Sequence, residues 1–170
     1  MGPSTAKFLL SELRGFGYLL KKRSQRLACL RELIEEDRLK RTVVDSVEYL
    51  SLKEKKKRRE QPSQVRLLAP FDPLVRNRER FEHLWGWEYR FEAYTPRPRR
   101  KIGYYAMPVL WKDQVIGWAN VSRETDHVSF AFGYASSRPD EVEFTQEAEA
   151  EARRMTRFLG LESGHCKLSL

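Results

Sequence analysis

The 170-residue sequence contains only two cysteines, Cys29 and Cys166, and three histidines. Two cysteines do not build a disulfide framework. Cys29 lies on the apolar side of an expected helix and reads as a small buried hydrophobe. His165–Cys166 stands alone near the end, without the further Cys or His that a zinc site needs, so no metal ligand and no cofactor is assigned. Long hydrophobic runs are also missing. None approaches the roughly 20 residues of a membrane helix, and Met1–Lys7 does not lead into the apolar stretch of a secretory signal. No internal repeat is visible. These absences argue against a membrane, secreted or metal-dependent protein and fit a reduced cytoplasmic compartment.

What is present is charge with an uneven distribution. The net charge is +8, from 32 basic and 24 acidic residues. Residues 1–70 hold 17 basic and 9 acidic residues, so the whole excess lies there; residues 71–135 hold 10 and 8, and residues 136–170 hold 5 and 7. A basic region joined to a nearly neutral one suggests a polyanionic partner. A basic solubilising face is the competing reading. With 41% hydrophobic residues the chain can bury a core, as one domain or two small ones.

Periodicity predicts an α+β protein. Phe8, Leu9 and Leu13 recur at helical spacing over Thr5–Arg14, and Gly15 is a stop. A second helix is expected at Ser24–Glu36, with Ser24 as N-cap and Leu27, Leu30, Leu33 and Ile34 as its stripe. The period then changes to short β-type runs. Leu39–Val44 and Val47–Leu52, separated by Asp45-Ser46, suggest a hairpin. Helix, turn, helix and hairpin is the order of a winged helix, in which the second helix enters a DNA major groove; Arg26 on that helix is a candidate contact. Other small α+β domains share the pattern. The expected organisation is a winged helix over 1–52, a basic linker over 53–64, a β-rich barrel-like domain over 65–135, and a C-terminal segment with a helix over 136–170.

The β-rich part begins with a short strand, Val65–Leu68. A helix over Asn77–Leu84 should turn Phe81 and Leu84 inward. Strands are expected at Tyr89–Tyr94, Lys101–Trp111, Val115–Val121 and His127–Tyr134, forming a small antiparallel barrel or sheet. The last helix is expected at Gln146–Leu159, capped by Thr145, with Ala148, Ala152, Met155 and Leu159 inward and Gly160 as its stop.

One stretch is specific. It runs Pro70-Phe71-Asp72-Pro73-Leu74-Val75, Arg78-Glu79-Arg80, Leu84-Trp85-Gly86-Trp87, Tyr89-Arg90-Phe91-Glu92-Ala93-Tyr94-Thr95-Pro96, Gly103-Tyr104-Tyr105-Ala106-Met107-Pro108 and Ile116-Gly117-Trp118-Ala119-Asn120. It resembles the YcaQ/AlkZ-like family of bacterial winged-helix DNA glycosylases, which unhook interstrand crosslinks. The resemblance implies stacked winged helices and a β-barrel around duplex DNA, a barrel hairpin that probes it, and cleavage of the N-glycosidic bond of alkylated purines without a cofactor. It also implies a Gln-x-Gln or Gln-x-Asp catalytic motif in an N-terminal part. Here the residue two places after Gln25, Gln61, Gln64, Gln114 and Gln146 is Leu27, Ser63, Arg66, Ile116 and Ala148. The motif is therefore absent, and no catalytic residue is assigned. The chain corresponds to the last winged helix, the barrel and the terminal helix of such a protein. A second departure is Arg76-Asn77, where the family pattern has Trp-Asp; Asn77 can still cap the next helix.

Thr95-Pro96-Arg97-Pro98-Arg99-Arg100-Lys101 places four cations at an expected hairpin tip, suited to phosphates or a minor groove. A solvated loop is the alternative. Arg76 and Arg78 are further candidates, with ion pairing to Glu79 or Glu82 competing. Asp72 is expected to cap backbone amides rather than to catalyse. Trp85, Trp87, Trp111 and Trp118 read as core residues, with base stacking the alternative, and His83 and His127 as structural. The expected partner is double-stranded DNA. One alternative is a barrel subunit completing a split glycosylase whose catalytic N-terminal half is separately encoded. Another is a non-enzymatic transcriptional regulator.

Overall fold

A computed structural model of the chain describes residues 2–53, 63–162 and 164–170. Most of the expected basic linker, residues 54–62, lies outside them. The chain divides into two compact units, Met1–Arg59 and Glu60–Leu170, and each is described by itself.

The first unit is helix, helix and hairpin. Helix α1 spans Ala6–Glu12, and the Thr5 hydroxyl caps it by accepting from the Phe8 N–H at 3.3 Å. The chain then tightens into a 3-10 turn over Leu13–Phe16, so the expected single helix ends in two forms. Helix α2 spans Arg23–Glu35. Its N-terminal boundary is Lys22, not Ser24, and the Lys22 N–H is taken up by the Gln25 side chain at 2.9 Å. Leu30 is its one buried residue among those described; Leu27, Leu33, Ile34 and Cys29 are only half-buried. Strands β1 (Leu39–Val44) and β2 (Val47–Leu52) pair antiparallel. Asp45 and Ser46 both adopt positive φ, 44° and 67°. That is the two-residue turn whose twist matches a hairpin, which explains how a weak turn sequence closes it. Ser4 adds to the hairpin edge, exchanging backbone bonds of 2.9 and 2.8 Å with Leu50.

The second unit is a sheet covered on both faces. Strands β3 (Val65–Leu67), β4 (Ala106–Trp111), β5 (Gln114–Arg123), β6 (Val128–Tyr134) and β7 (Cys166–Ser169) lie side by side in chain order. The first three pairings are antiparallel, and β7 runs parallel to β6. Among the described residues no pairing of β3 with β7 closes the sheet into a barrel. Strand β7 was not expected at all: Cys166 packs beside Val128 and Phe130 in the core.

A bulge explains how both faces are filled. Val109 pairs with Gly117, but Leu110 pairs with Val115, so Ile116 is the extra residue. An extra residue reverses the alternation of side chains. Val115 therefore joins Leu68, Val75, Phe81 and Tyr89 in one core, while Ala119 joins Val65, Val109, Trp111, Phe144 and Ala148 in another. The second of these lies under helix α5, Val142–Phe158. The helix starts four residues before the expected Gln146, and Glu141, not Thr145, stands at its head. Phe144 is the reason. It is fully buried against Trp111, with ring centroids 5.6 Å apart, so burial extends the helix by a turn. Ala148 and Ala152 are buried as expected, and Met155 and Leu159 pack against the core. Glu151 of α5 also blunts the edge strand β3. Its carboxylate accepts the Leu67 N–H at 3.0 Å and the Arg154 Nε–H at 2.8 Å, giving an edge donor a partner within the fold.

Candidate nucleic-acid interface

The other face of the sheet carries the site. Asp72 opens helix α3 (Pro73–Arg76) by accepting the Leu74 N–H at 2.8 Å. Asn77 opens helix α4 (Arg78–Trp85) by accepting the Arg80 N–H at 3.1 Å. Both capping expectations hold, and Asp72 is occupied as a cap. Phe81 is buried, but Leu84 is 42% exposed, against expectation.

Arg78 is turned into the fold. Its guanidinium donates to the Val75 and Pro70 carbonyls at 2.7 and 2.9 Å and covers the Tyr89 ring at 4.5 Å. Burial lowers its pKa, against the opposing influence of Tyr89. Tyr89, in turn, is pushed up to about 12 by burial, and its hydroxyl donates to the Ala106 carbonyl at 2.7 Å. Arg80 is buried and donates to the Pro73 and Leu74 carbonyls. These arginines tie α3 and α4 together, and the half-buried Arg78, expected as a DNA contact, has its guanidinium engaged in this packing. Arg76 remains exposed.

The segment from Glu88 to Tyr105 is not a hairpin. Neither Tyr89–Tyr94 nor residues 101–105 form strands; β4 begins only at Ala106. A loop replaces them, and Glu92 is its anchor. Glu92 is 5% exposed, and its carboxylate accepts the N–H groups of Lys101 (3.0 and 2.9 Å), Ile102 (2.9 Å) and Gly103 (3.2 Å). Burial alone would raise its pKa; the three backbone donors and Lys101 outweigh that and hold it below the ordinary value. Asn120 secures the same stretch by donating to the Ile102 carbonyl at 2.7 Å. Gly103 sits at φ +125°, where a Cβ would fall 2.1 Å from the Asn120 Oδ1.

Within this frame Arg97–Arg99 form one 3-10 turn. Arg97, Arg99 and Lys101 are exposed. Arg100 differs. Its Nε donates to the Thr95 carbonyl at 2.8 Å, and its guanidinium lies 4.8 Å from the centre of the Tyr104 ring. Of the four cations expected at the tip, three project outward and one braces the loop. Aromatics adjoin them. Tyr94 is 93% exposed, with Tyr104 and Tyr105 also exposed. Phe91 backs this group, 6.3 Å from Tyr94, 5.2 Å from Tyr105 and 5.4 Å from Phe71. Sequence reasoning missed Glu92 and Tyr94 because it placed both in a strand. The prolines at 96 and 98 and Gly103 were the available signal against a regular hairpin.

The tryptophans are packing residues. Trp87 donates to the Val115 carbonyl at 2.8 Å, and Trp118 lies 6.1 Å from Trp87. His127 has a partner that the sequence did not reveal, Asp126 at 2.7 Å. In the first unit Arg26 donates from Nη1 to the Leu20 and Lys21 carbonyls at 2.9 and 3.2 Å, so part of its guanidinium is occupied by the turn before α2.

A family model described as DNA glycosylase AlkZ-like matches residues 10–158. The chain belongs to the AlkZ-like DNA glycosylase family. Among solved structures, Streptomyces sahachiroi DNA glycosylase AlkZ is similar at a TM-score of 0.56 and 16% identity. The match covers 99% of this chain and 42% of that one. At this identity the likeness concerns the fold, and the AlkZ-like chain spans well under half the length of that protein. Among the described residues no helix is long and apolar enough to cross a membrane.

Proposed function

We propose that this chain binds double-stranded DNA, as the C-terminal portion of an AlkZ-like DNA glycosylase. The observation that carries the reading is the loop of residues 95–101, held by Glu92, with Arg97, Arg99 and Lys101 exposed on one short stretch beside Tyr94. Cations fixed on a stiff turn meet phosphates without first losing chain freedom. The first unit acts as a winged helix, supported by its element order and by the basic excess of residues 1–70. The glutamine motif is absent from these residues, so this reading assigns the chain DNA binding and leaves bond cleavage to residues it does not contain. Exposed Arg76 is retained as a secondary contact.

Fluorescence anisotropy with a labelled random-sequence duplex tests this. Affinity should fall steeply between about 50 and 200 mM salt, because each phosphate contact releases counterions. Replacing Arg97, Arg99 and Lys101 with Ala should lower the slope of log affinity against log salt by about 2–3. No binding at low salt would refute the reading. An unchanged slope in the triple variant would move the contact surface elsewhere. A strong preference for one sequence over random duplex would favour the regulator instead.

A further inference from the structure

A second concentration of cations lies in the first unit. A cavity of about 300 Å³ is lined by Lys7, Leu10, Ser11, Arg14, Arg23 and Arg26. The sequence spacing accounts for it. Lys7, Ser11 and Arg14 follow one another at i, i+4 and i+7 along α1 and the turn after it, and Arg23 and Arg26 are at i and i+3 in the first turn of α2. Residues so spaced share a helix face, so two faces deliver four cations to one concavity. Among the described residues no acidic side chain lines it, and none occupies the first turn of α2.

Like charges gathered in a concavity repel each other and focus a positive potential there. Arg26 is already oriented: its Nη1 is fixed on the Leu20 and Lys21 carbonyls, and its Nε is buried with no hydrogen-bond partner. An anion in the cavity is the kind of group that relieves this repulsion. Guanidinium groups favour phosphate oxygens, which accept several donors at once. The Ser11 hydroxyl is engaged with the Phe8 carbonyl at 2.8 Å, so the cations carry the site. The exposed Lys7, Arg14 and Arg23 leave the cavity open to a polymer.

We propose that this cavity is a phosphate-binding site that holds a phosphodiester of the nucleic-acid backbone. The choice of nucleic acid as the source rests on the duplex-binding reading; the anion site rests on the cavity alone. Two measurements on the full chain separate them. In the first, inorganic phosphate is titrated at constant ionic strength against chloride, with backbone amide NMR signals as readout. Signals of residues 7–14 and 23–26 should move and saturate in the wild type. They should stay fixed in Arg14→Gln/Arg23→Gln and respond again in Arg14→Lys/Arg23→Lys. No response in the wild type, or an undiminished response in the Gln variant, would overturn the site.

In the second, duplex binding is measured by anisotropy. The Gln variant should lower the log affinity against log salt slope by about 1–2, while Lys112→Gln/Arg153→Gln, which removes two cations elsewhere, should not. Wild-type duplex binding with an unchanged slope in Arg14→Gln/Arg23→Gln would overturn the nucleic-acid phosphodiester as the ligand of this site and leave the duplex reading standing. A phosphate response without any duplex binding would overturn nucleic acid as the source.

Discussion

Glu92→Gln removes no cation, yet it should weaken DNA binding. The native carboxylate takes four N–H···O contacts from three consecutive residues, at 2.9–3.2 Å. Hydrogen bonds to a charged group each contribute about 1.5–3 kcal/mol net, and they do not add fully. A glutamine offers one acceptor oxygen, and its amide nitrogen would face backbone donors that it cannot satisfy. A loss of about 2–4 kcal/mol in the stability of the closed loop follows. At tenfold per 1.4 kcal/mol, the amides of Lys101, Ile102 and Gly103 should exchange hydrogen about 30- to 700-fold faster. Duplex affinity should drop because Arg97, Arg99 and Lys101 are no longer preorganised, whereas the salt slope should stay, since every cation remains. Unchanged exchange at the three amides would refute the clamp. Faster exchange with unchanged duplex affinity would show that the loop's order is irrelevant to binding.

The same carboxylate predicts a pH dependence. Its pKa is lowered on folding, so it stabilises the loop fully above the unfolded value of about 4.3, and that contribution fades as pH falls through the lower folded value. The amide shifts of Lys101–Gly103 should titrate with a midpoint below the unfolded value of about 4.3; a midpoint at or above it would contradict the assignment. Gly103→Ala is the steric counterpart. A Cβ there meets Asn120 Oδ1 at 2.1 Å on a backbone at φ +125°, and Asn120 cannot swing aside without releasing the Ile102 carbonyl. The expected cost is about 1–3 kcal/mol, seen as a melting temperature lowered by at least about 2 °C; an unshifted melting temperature would show that the loop relaxes freely.

Regular elements with local signals were legible. The boundaries of β1 and β2 match two β-type runs of six residues separated by Asp45-Ser46, and Asn77 announces α4 because a cap acts on an N–H three residues away. Elements decided by distant contacts were not. The early start of α5 depends on Trp111 meeting Phe144, and β7 exists because β6 presents a parallel edge to a segment with little β character of its own. The segment of residues 89–94 alternates like a strand, but no partner strand is available to it: residues 101–103 direct their N–H groups to the Glu92 carboxylate instead. A carboxylate that serves as a backbone partner across 9 to 11 residues leaves no periodic trace.

The arginines show why residue type locates a basic site only coarsely. Arg76, Arg78 and Arg80 alternate along the chain, as Arg97 and Arg99 do, yet their environments differ. Arg78 and Arg80 lie where carbonyls of Pro70, Pro73, Leu74 and Val75 face the fold without intrahelical partners. A short helix followed at once by another leaves such acceptors behind, and a guanidinium with five donors can take several of them. The loop at 95–101 is built the other way. Its prolines supply stiffness without donors, its own N–H groups go to Glu92 and to turn carbonyls, and one arginine, Arg100, suffices to brace it. Arg97, Arg99 and Lys101 are thereby left outward. Whether Arg78, Arg80, Arg97 or Arg99 faces solvent is set by the unpaired carbonyls around it, which belong to the backbone path and not to the residue.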